Sequence, residues 1–143
     1  MESTLQKPAL AVPGMPVKAT AIVYWSATAL FCLQMGFTAY AQLRFPQVAD
    51  AFAHLGFPDY FRLELSWAKL LGLVLLLAPF PARVKEWAYA GFAIDIASAV
   101  FAHLAVGDGP EAWGWAAATG VLWALSYGAW RLHPDSSMTV ERS

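Results

Sequence analysis

Lys69 and Asp95 are charged residues inside two apolar segments that are each long enough to cross a bilayer. They lie equally far along the chain from Ala82, which sits in the short linker between the segments. If the segments form an antiparallel helical hairpin, a rise of about 1.5 Å per residue places both charges at one depth, roughly 16–20 Å from the turn. Because an unpaired charge at that depth is costly, the sequence predicts that the two side chains pair or act together.

Such a pair has two interpretations, and the sequence leaves both open. In the structural one, the ion pair ties two helices together, although desolvation offsets much of the attraction. In the chemical one, Lys69 holds a carbonyl or an oxyanion, and Asp95 supplies protons by acid/base catalysis. His103 lies two helical turns beyond Asp95 and is a second proton donor. The predicted catalytic residues are therefore Lys69, Asp95 and His103.

Three further residues are candidates for binding a substrate in a polar pocket around this pair. Turn arithmetic places Glu64 near His103 at the outer mouth of the pocket, and Gln34 on its wall. Trp67 supplies an aromatic surface for an apolar ligand. The predicted pocket therefore has its floor at the charged pair and opens toward the non-cytoplasmic side.

These residues are positioned by a chain whose composition is typical of a membrane protein. Of its 143 residues, 59% are hydrophobic and 13% are charged, whereas a soluble domain carries about 25% charged residues. Four apolar segments of spanning length occur at 19–43, 63–80, 84–106 and 112–130. Apolar residues at helical spacing in 45–56 predict a short amphipathic helix. We therefore predict an all-α integral membrane four-helix bundle over 17–131, with flexible tails at 1–16 and 132–143.

The distribution of basic residues predicts the orientation in the membrane. Four spans place both termini and the turn between the second and third spans on one side. Most of the basic residues fall on that side: Lys7, Lys18, Arg83, Lys85, Arg131 and Arg142. The positive-inside rule then predicts that both termini are cytoplasmic. For a bacterial protein this corresponds to the inner membrane.

Charge and cysteine usage exclude several classes of function. A net charge of −1 gives no basic surface for nucleic acid. Cys32 is the single cysteine, which excludes an intrachain disulfide and a cysteine-built metal site. The three histidines are scattered, so the sequence predicts no metal site. The expected partners are the bilayer, an apolar small molecule, and either a soluble enzyme or a second copy of the chain.

Four short segments resemble a known family. They read LGFP at 55–58, AKLLG at 68–72, VKEWAYAGF at 84–92 and AHLAVGD at 102–108. Together they resemble the DoxX-like family of small bacterial four-helix membrane proteins, over about residues 19–131. The wider family includes a subunit of a thiosulfate:quinone oxidoreductase, so the resemblance implies a link to quinone redox chemistry. Its matching positions are Lys69, Glu86, Asp95 and His103.

Three functions are compatible with these observations. The first is a redox-linked membrane protein that binds a quinone or another apolar small molecule in an intramembrane polar pocket. The second is a membrane isomerase or cyclase that acts on a lipophilic substrate by acid/base catalysis. The third is a non-catalytic membrane anchor or assembly subunit. The residues by themselves do not decide whether the protein is an enzyme, and a membrane quinone is the one cofactor that the resemblance suggests.

Overall fold

A computed structural model describes residues 17–132, and all of the regular structure in that range is helical. The all-α prediction is therefore confirmed. The predicted tails at 1–16 and 133–143 lie outside the described residues, while Leu132 belongs to the last helix. The helices are α1 (Val17–Arg44), α2 (Pro46–His54), α3 (Asp59–Leu77), α4 (Ala82–Ala105) and α5 (Pro110–Leu132).

The four long helices pack side by side. α1 packs against α3 and α5, and α4 packs against the same two helices. The short α3–α4 and α4–α5 connections make these consecutive helices antiparallel, and α2 with its flanking turns returns the chain from α1 to α3. The short helix α2 packs against α3 and α1. One end of the bundle therefore carries α2 and the α4–α5 turn, and we call it the α2 end. The opposite end carries the starts of α1 and α4 and the end of α5, and we call it the termini end.

Prolines set the bounds of α3, which begins and ends earlier than the predicted segment 63–80. The residue before α3 is Pro58, and Asp59 in the first turn is favoured by the helix dipole. At the other end, Ala78 has extended backbone angles, as is expected for a residue that precedes a proline. The α3–α4 connection is therefore extended through Pro81, and α4 begins at Ala82.

Two glycines make the turns at the α2 end possible. Gly56 follows α2 with a φ of 84°, and Gly107 follows α4 with a φ of 81°. Residues that carry a side chain rarely adopt this left-handed backbone conformation, whereas glycine does so readily. The conformation ends a helix and lets the chain turn sharply. The two turns hold α2 and the start of α5 close to the end of α4.

Two of the described helices are long and apolar enough to cross a membrane, over Lys18–Arg44 and Ala82–Ala105. In α3 the charged residues Asp59, Arg62, Glu64 and Lys69 lower the apolar character of the helix. The prediction of four spans remains a prediction for α3 and α5.

The core contains residues from all four long helices and includes a close contact between α3 and α4. A Cβ atom at Gly72 of α3 would lie 2.7 Å from the Phe92 ring of α4. Phe92 in turn packs edge-on against Phe31 of α1, with ring centroids 5.1 Å apart. Phe31 and Phe92 are buried. This contact places α3 and α4 in the register that brings Lys69 and Asp95 together.

Candidate functional site

Lys69 and Asp95 form a buried ion pair between α3 and α4. The Lys69 Nζ atom lies 3.5 Å from Asp95 Oδ2, and the two side chains are 9% and 13% exposed. The pairing predicted from the hairpin is therefore confirmed. The register follows from the short α3–α4 connection together with the Gly72–Phe92 contact one turn away.

The pair lies on the wall of a large cavity. The cavity has a volume of about 1190 Å³, and Lys69 and Asp95 both line it. Pockets for small organic ligands commonly measure about 300–1,000 Å³. The rest of the lining is mainly apolar and comes from all five helices; it includes Met35, Phe52, Phe61, Leu65, Phe101 and Trp115. This combination suits an apolar molecule that carries a polar group.

The ammonium of Lys69 is incompletely used by the protein. It carries three N–H donors. Within residues 17–132, Asp95 is the polar partner that the structure gives it, at the long distance of 3.5 Å. Because Lys69 also lines the cavity, its remaining donors can reach a ligand oxygen. The site can therefore hold a carbonyl or an oxyanion beside the Asp95 carboxylate.

Gln34 acts at the cavity through a second residue. Its side-chain amide donates to the hydroxyl of Thr119 on α5, and that hydroxyl donates to the main-chain oxygen of Trp115 at 2.9 Å. Thr119 and Trp115 line the cavity, whereas Gln34 is not among the residues that do. The expectation that Gln34 forms the wall is corrected, since it orients Thr119, which does.

Glu64 and Trp67 lie outside the cavity, so the expectation that they bind a substrate there is also corrected. Glu64 is exposed, and Trp67 is 64% exposed. The reason is rotation about the α3 axis. At about 100° per residue, these positions are turned roughly 140° and 160° away from Lys69. A helix that points Lys69 inward therefore points both of them outward.

His103 lines the cavity, but it is engaged with a carboxylate that the sequence analysis did not assign to the site. Its Nδ1 atom lies 2.7 Å from Asp108 Oδ2, and His54 Nε2 of α2 lies 2.9 Å from Asp108 Oδ1. We call His54, His103 and Asp108 the His–Asp–His link. Hydrogen bonds from His103 and then His54 hold the pKa of the Asp108 carboxyl below its usual range. The link joins α2 to the α4–α5 turn at the α2 end of the cavity.

A second polar cluster at the α2 end was also missed. The Ser66 hydroxyl of α3 donates to Gln42 Oε1 of α1 at 3.0 Å. Arg62 donates to the main-chain oxygen of Gln42 and pairs with Asp59 at 2.5 Å. Gln42 lines the cavity. The spacing of neutral polar residues such as Gln42 and Ser66 within apolar segments does not show whether they meet in the fold. A single sequence therefore does not reveal this cluster.

Glu86 lies far from the cavity, at the termini end of the bundle. Its carboxylate pairs with Arg131 of α5, and both side chains are largely exposed. The pair connects the second turn of α4 to the last turn of α5, where the Arg131 charge also suits the helix dipole. Glu86 therefore connects two helices through its ion pair and is not part of the site.

Comparison with protein-family models shows to which family the chain belongs. The model of the DoxX-like family matches residues 26–126, well over half of the chain. The chain belongs to the DoxX-like family. Neither the comparison with curated proteins nor the comparison with solved structures found a match.

The matched range of this DoxX-like protein contains the ion pair, Thr119 and the whole His–Asp–His link. Family membership and the two apolar helices together indicate a membrane protein.

Proposed function

We propose that this DoxX-like protein binds an apolar small molecule, most specifically a quinone, in the cavity beside Lys69 and Asp95, and that this binding is linked to redox chemistry. The observation that carries the proposal is the buried ammonium with unused donors on the wall of an apolar cavity. A quinone is an apolar ring whose carbonyl oxygens accept hydrogen bonds. Lys69 would donate to one carbonyl, and Asp95 would exchange the proton that accompanies its reduction.

The proposal includes a placement in the bacterial inner membrane with four spans and both termini in the cytoplasm. The 19 residues of α3 extend about 28 Å, close to the roughly 30 Å of a hydrocarbon core, and the 28 residues of α1 extend about 42 Å, which matches a bilayer with its headgroup regions. Basic residues at the termini end support a cytoplasmic location for that end. The cavity then lies in the outer half of the membrane, below α2.

Binding of a soluble benzoquinone to purified protein in lipid nanodiscs tests the proposal. Because a hydrogen bond to a charged group contributes about 1.5–3 kcal/mol, Lys69→Met is expected to weaken binding at least about tenfold. Asp95→Asn keeps the shape of the side chain and is expected to reduce affinity less. Lys18→Met is the matched control, since it removes an exposed lysine from α1. Equal and negligible binding by the wild type and all variants would refute the proposal.

A second candidate function is an isomerase or cyclase in which Asp95 acts as the general acid. The observation that favours it is the ring of aromatic residues around the cavity: Phe52, Phe57, Phe61, Phe101 and Trp115. Aromatic faces stabilise a substrate cation. This function predicts turnover of a lipophilic substrate with no added electron acceptor. A strict requirement for an acceptor would exclude it and favour the quinone-linked function.

A further inference from the structure

The cavity continues past the ion pair onto the outer surface of α4. Its lining includes Gly91, Ile94, Ser98 and Phe101, which recur at helical spacing. Ile94 is 68% exposed and Phe101 is 72% exposed, so this part of the lining faces the surroundings of the bundle. We call these four residues the α4 groove face. A cavity lined by such exposed residues is open at its side.

The α4 groove face begins directly beside Asp95. At about 100° per residue, its members lie within roughly 120° of Asp95, all in the same rotational direction. The residues of α3 that also line the cavity on this side are Phe61 and Leu65. On the termini side of the ion pair, Gly72 and Phe92 hold the two helices in close contact. The side opening between α3 and α4 therefore lies on the α2 side of that contact, whereas the α4 groove face itself continues on the surface of α4 to Gly91, one turn toward the termini end.

The α2 end of the cavity is covered. Val48, Ala51 and Phe52 of α2 line the cavity there, together with Leu55, which directly follows the helix. The His–Asp–His link ties the last turn of α2 to the α4–α5 turn. A molecule whose polar group contacts Lys69 is thus covered toward the α2 end and open toward the groove. Gly91 has no side chain and Ser98 has a small one, so both leave room along the groove.

We propose that the site takes a ligand with a long hydrocarbon chain, and that the chain leaves the cavity sideways, between α3 and α4, along the α4 groove face. The polar head lies at Lys69 and Asp95, as in the proposed function on which this inference rests. The ligand is therefore a membrane-resident lipid-like molecule that enters from the bilayer. The volume of about 1190 Å³ exceeds what a single ring requires and accommodates the first part of such a chain.

Photolabelling of the purified protein in nanodiscs tests the route. The probe is a benzoquinone with a ten-carbon chain that carries a diazirine, and labelled peptides are mapped with and without excess unlabelled decyl-benzoquinone. Competable labelling is expected in residues 61–65 and 91–101. Ser98→Trp fills the groove and is expected to lower that labelling about tenfold, which corresponds to about 1.4 kcal/mol. Ala90→Trp is the matched control, because Ala90 is exposed on α4 outside the cavity lining.

The outcomes separate this inference from the proposed function. Competable labelling confined to 46–57 would show that the chain leaves through the α2 end, which overturns the lateral route while the binding site stands. Competable labelling of 91–101 that Ser98→Trp leaves unchanged also overturns the route. Absence of competable labelling anywhere, together with no binding of the chainless benzoquinone, overturns the proposed function itself.

Discussion

The two halves of the bundle use buried polar groups in opposite ways. In the half near the termini, the Ser126 hydroxyl lies 2.7 Å from Thr28 Oγ1 and 2.8 Å from the Tyr89 hydroxyl. All three residues are fully buried. The Trp123 indole donates to the main-chain oxygen of Tyr89 at 2.9 Å. In the half near α2, the ion pair is looser, at 3.5 Å, and borders a cavity.

The difference separates a structural cluster from the proposed binding site. Neutral groups that satisfy one another hold α1, α4 and α5 together, and stacked rings fill the space around them, as for Trp123 and Tyr127 with centroids 5.3 Å apart. The three hydroxyl-bearing residues of that cluster do not line the cavity. The ion pair contributes little net stability because of its desolvation, yet it offers unused donors to an open space. The tightly packed half near the termini thus supports a half in which charged groups border an open cavity.

The largest expected effect comes from Lys69→Met, which breaks the ion pair. It leaves Asp95 buried without its partner, and loss of one member of a buried pair costs about 3–5 kcal/mol. The double variant Lys69→Met/Asp95→Leu is expected to regain most of that stability but no quinone binding. Chemical denaturation in detergent together with the binding assay measures both. If the double variant binds quinone like the wild type, the site is not at this pair.

Ser126→Ala tests the cluster in the other half. It removes the partner of two buried hydroxyls, those of Thr28 and Tyr89, with an expected loss of about 2 kcal/mol of unfolding free energy. Quinone affinity is expected to stay the same, because Ser126 does not line the cavity. Ser26→Ala, on the exposed face of α1, is the control for both measurements. A loss of binding as large as that of Lys69→Met would show that the halves are not independent.

Gly72→Ala tests the contact at the boundary between the halves. The added Cβ would lie 2.7 Å from the Phe92 ring, and such overpacking costs about 1–3 kcal/mol. Phe92→Leu on the same background is expected to recover part of that loss. Gly128→Ala is the control, because no atom lies within 4 Å of its added Cβ. Thermal unfolding in nanodiscs distinguishes them, and equal midpoints for Gly72→Ala and Gly128→Ala would contradict the close approach of α3 and α4.

The smallest expected effect concerns the His–Asp–His link. Since the pKa of Asp108 lies below its usual range, its carboxylate stabilises the fold above about pH 4 and loses that effect as the pH falls through the native value. Asp108→Asn is expected to speed hydrogen exchange of the α2 amides, after correction for intrinsic rates, at pH 5. At pH 3 the wild type should approach the variant. A difference that is the same at both values would show that the carboxylate charge does not hold α2.

The sequence predicted the helices and the pairing of Lys69 with Asp95, and it failed for most of the surrounding site. The pairing needed only the helical rise and the length of one short turn, both of which are local. Glu64 and Trp67 were misplaced because their height was estimated correctly but their rotation about α3 was not. Asp108 was not assigned to the site, because its contacts with two histidines depend on α2 folding back over the bundle.

What the sequence by itself determined is therefore the all-α class of the described residues, their helices and the pairing of Lys69 with Asp95. Apolar periodicity, prolines at the helix ends and the hairpin geometry are sufficient for these. Only the tertiary structure decided which helices meet across the bundle, so that Gln34 finds Thr119 and Ser126 finds Thr28 and Tyr89. Rotation of each helix is selected by packing against all its neighbours at once. For the same reason the cavity, its cover by α2 and its opening between α3 and α4 exist only in the assembled fold.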